Sequence, residues 1–239
     1  MLAVLEIGAA VYVVKHNTAP KSPEADSSIA AQQQPSTSAA PRTDSFGIDA
    51  TSAARDPVVI AFLGDDWTAG TGASSEGKRF STLVCNELGA QERNFGVDGT
   101  GYAKSSASGG PYRSRLAALV AAHPQVVVVS GGRNDRSDYG ATAADHARQL
   151  FTTLHRKLPD AGLVAVAPFW GDSDLPPELS ALARTVRKAV TSAGGSYLDI
   201  ADPIHGHPAF MADAADPNDR GYAAIAAALE PRLGPLLPR

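Results

Sequence analysis

From Pro57 onward, apolar runs of strand length alternate with stretches whose apolar positions recur every three or four residues. Residues 58–63, VVIAFL, form an unbroken apolar run rich in β-branched side chains, the pattern of a strand buried on both faces of a parallel sheet. Gly64 ends it with a turn. Phe80, Leu83, Val84 and Leu88 then recur at helical spacing, and Gly89 supplies a stop. Residues 93–95 predict a short second strand, followed by a Gly- and Ser-rich loop over 96–111. Leu116, Leu119 and Val120 predict a helix ending before Pro124. Residues 126–129 are the most β-branched run of the chain and predict strand three. Ala147, Leu150, Phe151, Leu154 and Leu158 fit one helical stripe, and Pro159 and Gly162 break it. Strand four is expected over 163–167, a helix over 176–193 with Pro176 and Pro177 in its first turn, and strand five over 197–200. A loop over 201–217 leads to a last helix with Tyr222, Ile225 and Leu229 on one face, which Pro231 is expected to end or bend. Five strands alternating with helices predict an α/β fold: a five-stranded parallel sheet with helices on both faces.

The chain has 239 residues, 44% hydrophobic and 19% charged, enough for one such domain plus an appendage. Residues 2–14 are mostly apolar, interrupted by Glu6 and followed by Lys15. They are short for a membrane span of about 20 residues and lack a basic leader. They read either as the remaining end of a signal anchor or as an amphipathic helix. Residues 18–56 are rich in Ala, Ser, Pro, Thr and Gln with few large apolar groups, too few to offset the entropy of ordering. The expected plan is an anchor (1–17), a disordered tether (18–56) and a globular domain (57–239), outside the cytoplasm at the cell envelope. A formal net charge of −4 gives no reason to expect nucleic acid as a partner. The single cysteine, Cys85, excludes an intramolecular disulfide and reads as a small buried hydrophobe. A monomer is expected.

Chemistry concentrates after the strands. Gly64-Asp65-Asp66-Trp67-Thr68-Ala69-Gly70 follows the first, Asn94-Phe95-Gly96-Val97-Asp98-Gly99 the second, and Gly131-Gly132-Arg133-Asn134-Asp135 the third; Asp213-Ala214-Ala215-Asp216-Pro217-Asn218-Asp219 precedes the last helix. In this order the four stretches resemble the conserved blocks of the SGNH, or GDSL, hydrolases, from about Pro57 to the C-terminus. The resemblance implies the three-layer, flavodoxin-like fold of that family, with Gly99 and Asn134 as oxyanion-hole donors and Asp213 as the carboxylate that orients a histidine. It also implies a serine at 66 and a histidine at 216, and both positions hold aspartate.

A serine esterase needs a nucleophile, a base and oxyanion donors. Here the donors remain while nucleophile and base do not. Asp66 also suits a helix N-cap, and Asp216 a turn before Pro217. Its carboxylate is expected to turn toward Gly99 and Asn134, leaving Asp216 as the member of the pair that holds its proton longer, unless Arg133 or Arg136 neutralises it. His205 and His207 lie in the loop before Asp213 and are candidate replacement bases, or surface histidines. Ser173, in a literal Gly171-Asp172-Ser173 after strand four, is a minor candidate nucleophile. His123, His146 and His155 read as structural. Asp65, Asp66, Asp135, Asp213 and Asp216 could crowd one edge, but no loop has calcium-binding spacing, so neither metal nor cofactor is expected. Three readings follow: a degenerate domain that binds an acyl or glycan ligand or scaffolds a partner, an esterase or acyltransferase using non-standard residues, and a structural envelope protein with a vestigial cleft.

Overall fold

The four valines Val126–Val129 are all fully buried and form the centre of the sheet. The computed structural model describes residues 56–138, 141–171 and 173–238, so the segments expected to be an anchor (1–17) and, up to Arg55, a tether lie outside the described residues. Five strands, β1 (Val59–Gly64), β2 (Gln91–Gly96), β3 (Val126–Val129), β4 (Gly162–Val166) and β5 (Ser196–Leu198), pair in parallel in the order β2-β1-β3-β4-β5. That is the flavodoxin-like order of a doubly wound sheet.

Side chains of successive strand residues point to opposite faces, and both faces are packed. On one, Leu63, Val127, Val129 and Leu163 meet Phe151 and Leu154 of α4 (Ala141–Lys157) and Leu182 and Val190 of α5 (Pro177–Ser192). On the other, Ile60, Phe62, Val128 and Val164 meet Phe80 and Val84 of α2 (Phe80–Leu88) and Ile225 and Leu229 of α6 (Asp219–Leu233). Cys85 lies in the second core, where burial pushes its thiol up to about 12. Unbroken apolar strands follow from covering both faces.

Two smaller helices complete the chain: α1 (Asp66–Ala69) directly after β1, and α3 (Leu116–Ala121). Helix α6 does not stop at Pro231 but runs on to Leu233. Pro231 falls in the last turn, and buried Leu229 and Leu233 hold that turn against the core. Strand β5 ends at Leu198 rather than Ile200: the Asp199 carboxylate accepts the Ala201 N–H at 3.2 Å and turns the chain, with Ala201 at φ +58°.

The register positions the site. Gly64 pairs with Gly96, and Leu63 with both Phe95 and Val129, so β1, β2 and β3 end level. The segments that follow them, beginning at Asp65, Val97 and Ser130, leave the sheet side by side.

Candidate active site

The turn after β1 is capped by Asp65, not Asp66. Asp65 is buried, and its Oδ1 accepts the Trp67 N–H at 3.3 Å, which leaves Asp66 as the first residue of α1. Burial, then the neighbouring Asp66 charge, push the Asp65 carboxyl up to about 7, against the pull of Arg133. Because Asp65 takes the cap, the Asp66 side chain is available to the sheet edge.

There it meets donors from the two neighbouring segments. Asp66 Oδ1 accepts the Gly99 N–H at 2.9 Å, and Oδ2 accepts Asn134 Nδ2–H at 2.6 Å. Gly99 sits at φ +71°, a left-handed conformation open to glycine, and this aims its N–H at the carboxylate. The second proton of Asn134 Nδ2 goes to the Thr100 carbonyl at 3.1 Å. Both partners are acceptors, so the amide nitrogen belongs on this side. Gly99 and Asn134, the donors that the sequence motifs single out, thus converge on Asp66, with one donor for each carboxylate oxygen.

Asp135, next in sequence, has a different role. Its buried carboxylate accepts the N–H groups of Tyr102, Ala103 and Lys104 at 2.8, 2.9 and 3.0 Å. It thereby pins the loop that carries Gly99 and Thr100. A Cβ on Gly101 would run into that carboxylate. Arg115 adds a second brace, donating to the carbonyls of Gly64 and Gly110, each at 3.1 Å. Neither role is legible in the sequence, because the partners are backbone groups that no residue letter marks.

The opposite wall is the loop before α6. Ala215 O accepts from Trp67 Nε1 at 3.0 Å and from Arg133 at 2.6 Å, and the Arg133 guanidinium lies 5.0 Å over the Trp67 ring. Trp67 in turn stacks on Phe169. Arg133 is also 4.0 Å from Asp216 Oδ1. That oxygen is buried, without a hydrogen-bond partner among the described residues. Burial raises the Asp216 carboxyl to about 6; Arg133 pulls it down, and Asp66, Asp213 and Asp98 push it up.

Asp213 does not orient residue 216 in the way that the motif implies. Its Oδ1 accepts the N–H groups of Ala215 at 2.7 Å and Asp216 at 2.9 Å, a turn onto its own backbone, and these bonds hold its carboxyl below the usual range. Nor do the alternative residues gather here. His205 Nε2 is 3.7 Å from Asp174 beside α5, His207 stacks on Phe210, and exposed Ser173 lines the cavity beside α5. Arg136 lies over Trp170, and it is Arg133 that faces Asp216. His146 reaches the Tyr102 carbonyl at 3.3 Å, while His155 lines a groove between α4 and α5. Among the described residues, no group of three or more His, Cys, Asp or Glu is arranged to hold a metal ion.

Residues 62–224, most of the chain, match the GDSL-like lipase/acylhydrolase family. The chain belongs to that family. A GDSL lipase from Mycobacterium tuberculosis is 26% identical over 189 residues, 73% of this chain and 80% of that protein. The native aryl esterase of Mycobacterium smegmatis shares the fold at a TM-score of 0.60 and 16% identity, over 75% of this chain and all of that one. A family-two carbohydrate esterase from Clostridium thermocellum, solved with cellohexaose, matches at a TM-score of 0.59 and 18% identity, over 76% of this chain and 65% of that one. The fold is what these solved structures share with this chain.

Proposed function

We propose that this chain is a GDSL-like domain without serine-hydrolase activity, whose oxyanion hole is closed by its own Asp66, and that it serves as a ligand-binding or scaffolding member of the family. One observation carries the reading: the Gly99 and Asn134 donors hold the two oxygens of the Asp66 carboxylate. In acyl transfer such donors stabilise negative charge that develops in the transition state. Here a permanent carboxylate takes them in the ground state, and a substrate oxyanion would have to displace it and approach a like charge. Asp216 supplies a carboxyl group in place of an imidazole, and Asp213 Oδ1, which the motif would use to orient it, accepts the Ala215 and Asp216 backbone N–H groups instead. The carbohydrate esterase solved with a cello-oligosaccharide makes a glycan the first ligand to try; an acyl chain is the second. The apolar residues 1–17 and the polar stretch 18–56 support a tethered place in the cell envelope.

The test uses the full chain, a fluorophosphonate probe and short p-nitrophenyl esters. Neither labelling nor turnover is expected. Asp66→Ser together with Asp216→His should gain weak turnover while each single change stays silent, because nucleophile and base act as a unit. Wild-type turnover abolished by Asp66→Ala would overturn the reading.

The raised Asp216 favours a second reading, an esterase or acyltransferase in which Asp66 itself attacks. A bond from its carboxylate to the acyl carbon would form, the ester C–O bond would break, and the Asp216 proton would pass to the leaving alkoxide. Water or an acceptor hydroxyl would then release the acyl group. Activity that falls as pH rises through about 6, with an acyl group trapped on Asp66, would support it.

A further inference from the structure

A cavity of about 980 Å³ opens between α5 and the chain that leaves β4 and β5, at the far edge of the sheet from β2. None of Asp66, Gly99 or Asn134 lines it. Its carboxylates are largely committed. Asp199 lies 3.7 Å from Arg187, Asp174 3.7 Å from His205, and Asp202 accepts the N–H groups of Trp170 and Ile204 at 2.8 and 3.1 Å. Two cations in the lining have no carboxylate partner among the described residues: Arg184 and Lys188. They are one turn apart on α5, so their Cβ atoms stand about 6 Å apart on one face. The same two side chains line a second groove of about 770 Å³ against α4, which brings His155 and Thr152. Two cations without a carboxylate partner among the described residues therefore form the ridge between two concave surfaces on a chain whose net charge is −4.

The chemistry of that pair selects a ligand. A carboxylate can satisfy one cation well. A phosphoryl group carries up to two charges and three acceptor oxygens, so it can take a planar fork from arginine and a point contact from lysine together. The cavity is far larger than a phosphate and lies in the range of small-molecule sites. Beside the ridge it presents the hydroxyl of Ser180 and that of Thr191, which donates to the Arg187 and Lys188 carbonyls and keeps its lone pairs for a donor, groups suited to the hydroxyls of a polyol; the Tyr197 ring is covered by Arg187. Ser173 and His205 line it too, and His205 Nε2 faces Asp174 at 3.7 Å.

We propose that the α5 cavity is a binding site for a phosphorylated polyol, with Arg184 and Lys188 holding the phosphoryl group. A sugar phosphate and the headgroup of a phosphatidylglycerol membrane share this chemistry. The site is separate from Asp66 and does not rest on the function proposed above.

The full chain is titrated at low salt with glucose 6-phosphate by calorimetry. In parallel it is sedimented with vesicles of phosphatidylcholine containing phosphatidylglycerol, and with phosphatidylcholine alone. Binding in one arm or both is expected, weakened by added salt. Arg184→Ala with Lys188→Ala should weaken it roughly tenfold, as expected for two exposed charge contacts. Arg113→Ala with Lys104→Ala, which removes equal charge far from the cavity, should leave it within about twofold. Thermal unfolding of both variants checks that the fold is intact. Binding to glucose 6-phosphate that is lost with the ridge identifies a soluble ligand; binding to the anionic vesicles alone, lost the same way, identifies the headgroup. No binding in either arm, or equal loss in both double variants, overturns the proposal.

Discussion

Asp66 and Asp216 are carboxylates on facing walls of one site, yet Asp66 has a donor for each oxygen, while one Asp216 oxygen is buried with no hydrogen-bond partner among the described residues. The difference lies in what carries them. Asp66, Gly99 and Asn134 stand on segments that leave three level parallel strands, and Asp135 locks the loop between them with three backbone bonds. Asp213 and Asp216 stand on a long loop, held to the sheet side through the Ala215 carbonyl. The strand-borne half of the site keeps the geometry of an oxyanion hole around a residue that cannot use it as serine would. The loop-borne half has its orienting aspartate turned onto its own backbone. Geometry built into a sheet edge is maintained by the core beneath it, whereas loop geometry depends on a few local bonds.

The contrast can be broken most forcefully at Asp135. Asp135→Ala should cost about 3 kcal/mol or more, because three N–H groups lose their acceptor beneath the loop. Chemical denaturation would measure it, and a cost under about 1 kcal/mol would show that the loop holds itself. Asp66→Ala removes two hydrogen bonds to a charged acceptor at a half-buried site and should cost about 1–2 kcal/mol by the same measurement.

Asp216 should behave in the opposite sense. Its carboxyl is raised from 3.8 to about 6, so the folded protein holds a proton there that the unfolded chain releases. Its contribution to stability is therefore greatest below about pH 4 and is lost as pH rises toward 6. Discounted for partial exposure, Asp216→Asn should stabilise the domain by about 1 kcal/mol at pH 7.5 and by almost nothing at pH 4. Thermal unfolding at the two pH values tests this, and equal effects at both would remove the titration from the explanation. Asp66→Asn sharpens the same point: it deletes one of the charges that raise Asp216, so the Asp216 titration followed by NMR should move down toward the ordinary range. The smallest effect belongs to Asp213→Ala. Its two bonds are solvent-exposed, and a denaturation midpoint close to that of the wild type is expected.

The strand pattern was readable because the sheet is covered on both faces, so Val126–Val129 and the apolar stretch around Val59–Gly64 had no polar alternation to obscure them. Helix α1 was not readable as an element. At four residues it is shorter than one period of any stripe, and only the order Gly-Asp-Asp-Trp-Thr suggested a turn into a helix. The assignment of the cap to Asp65 was equally hidden, since both neighbours are aspartates with the same preference and burial chose between them. Arg115 belongs to none of the motifs at the strand ends, yet it reaches inward to two carbonyls.

What the sequence by itself determined is local or periodic: the alternation of strands and helices, the motifs at the strand ends, and the replacement of serine and histidine by Asp66 and Asp216. These follow from residue type and spacing alone. Tertiary structure decided which donors meet which acceptors. Level strand ends brought Gly99 and Asn134 onto Asp66 from segments 33 and 68 residues away. The packing of α5 beside β5 likewise left Arg184 and Lys188 on a ridge with no carboxylate partner among the described residues. A carboxylate's role depends on the groups that converge on it, and convergence belongs to the folded chain.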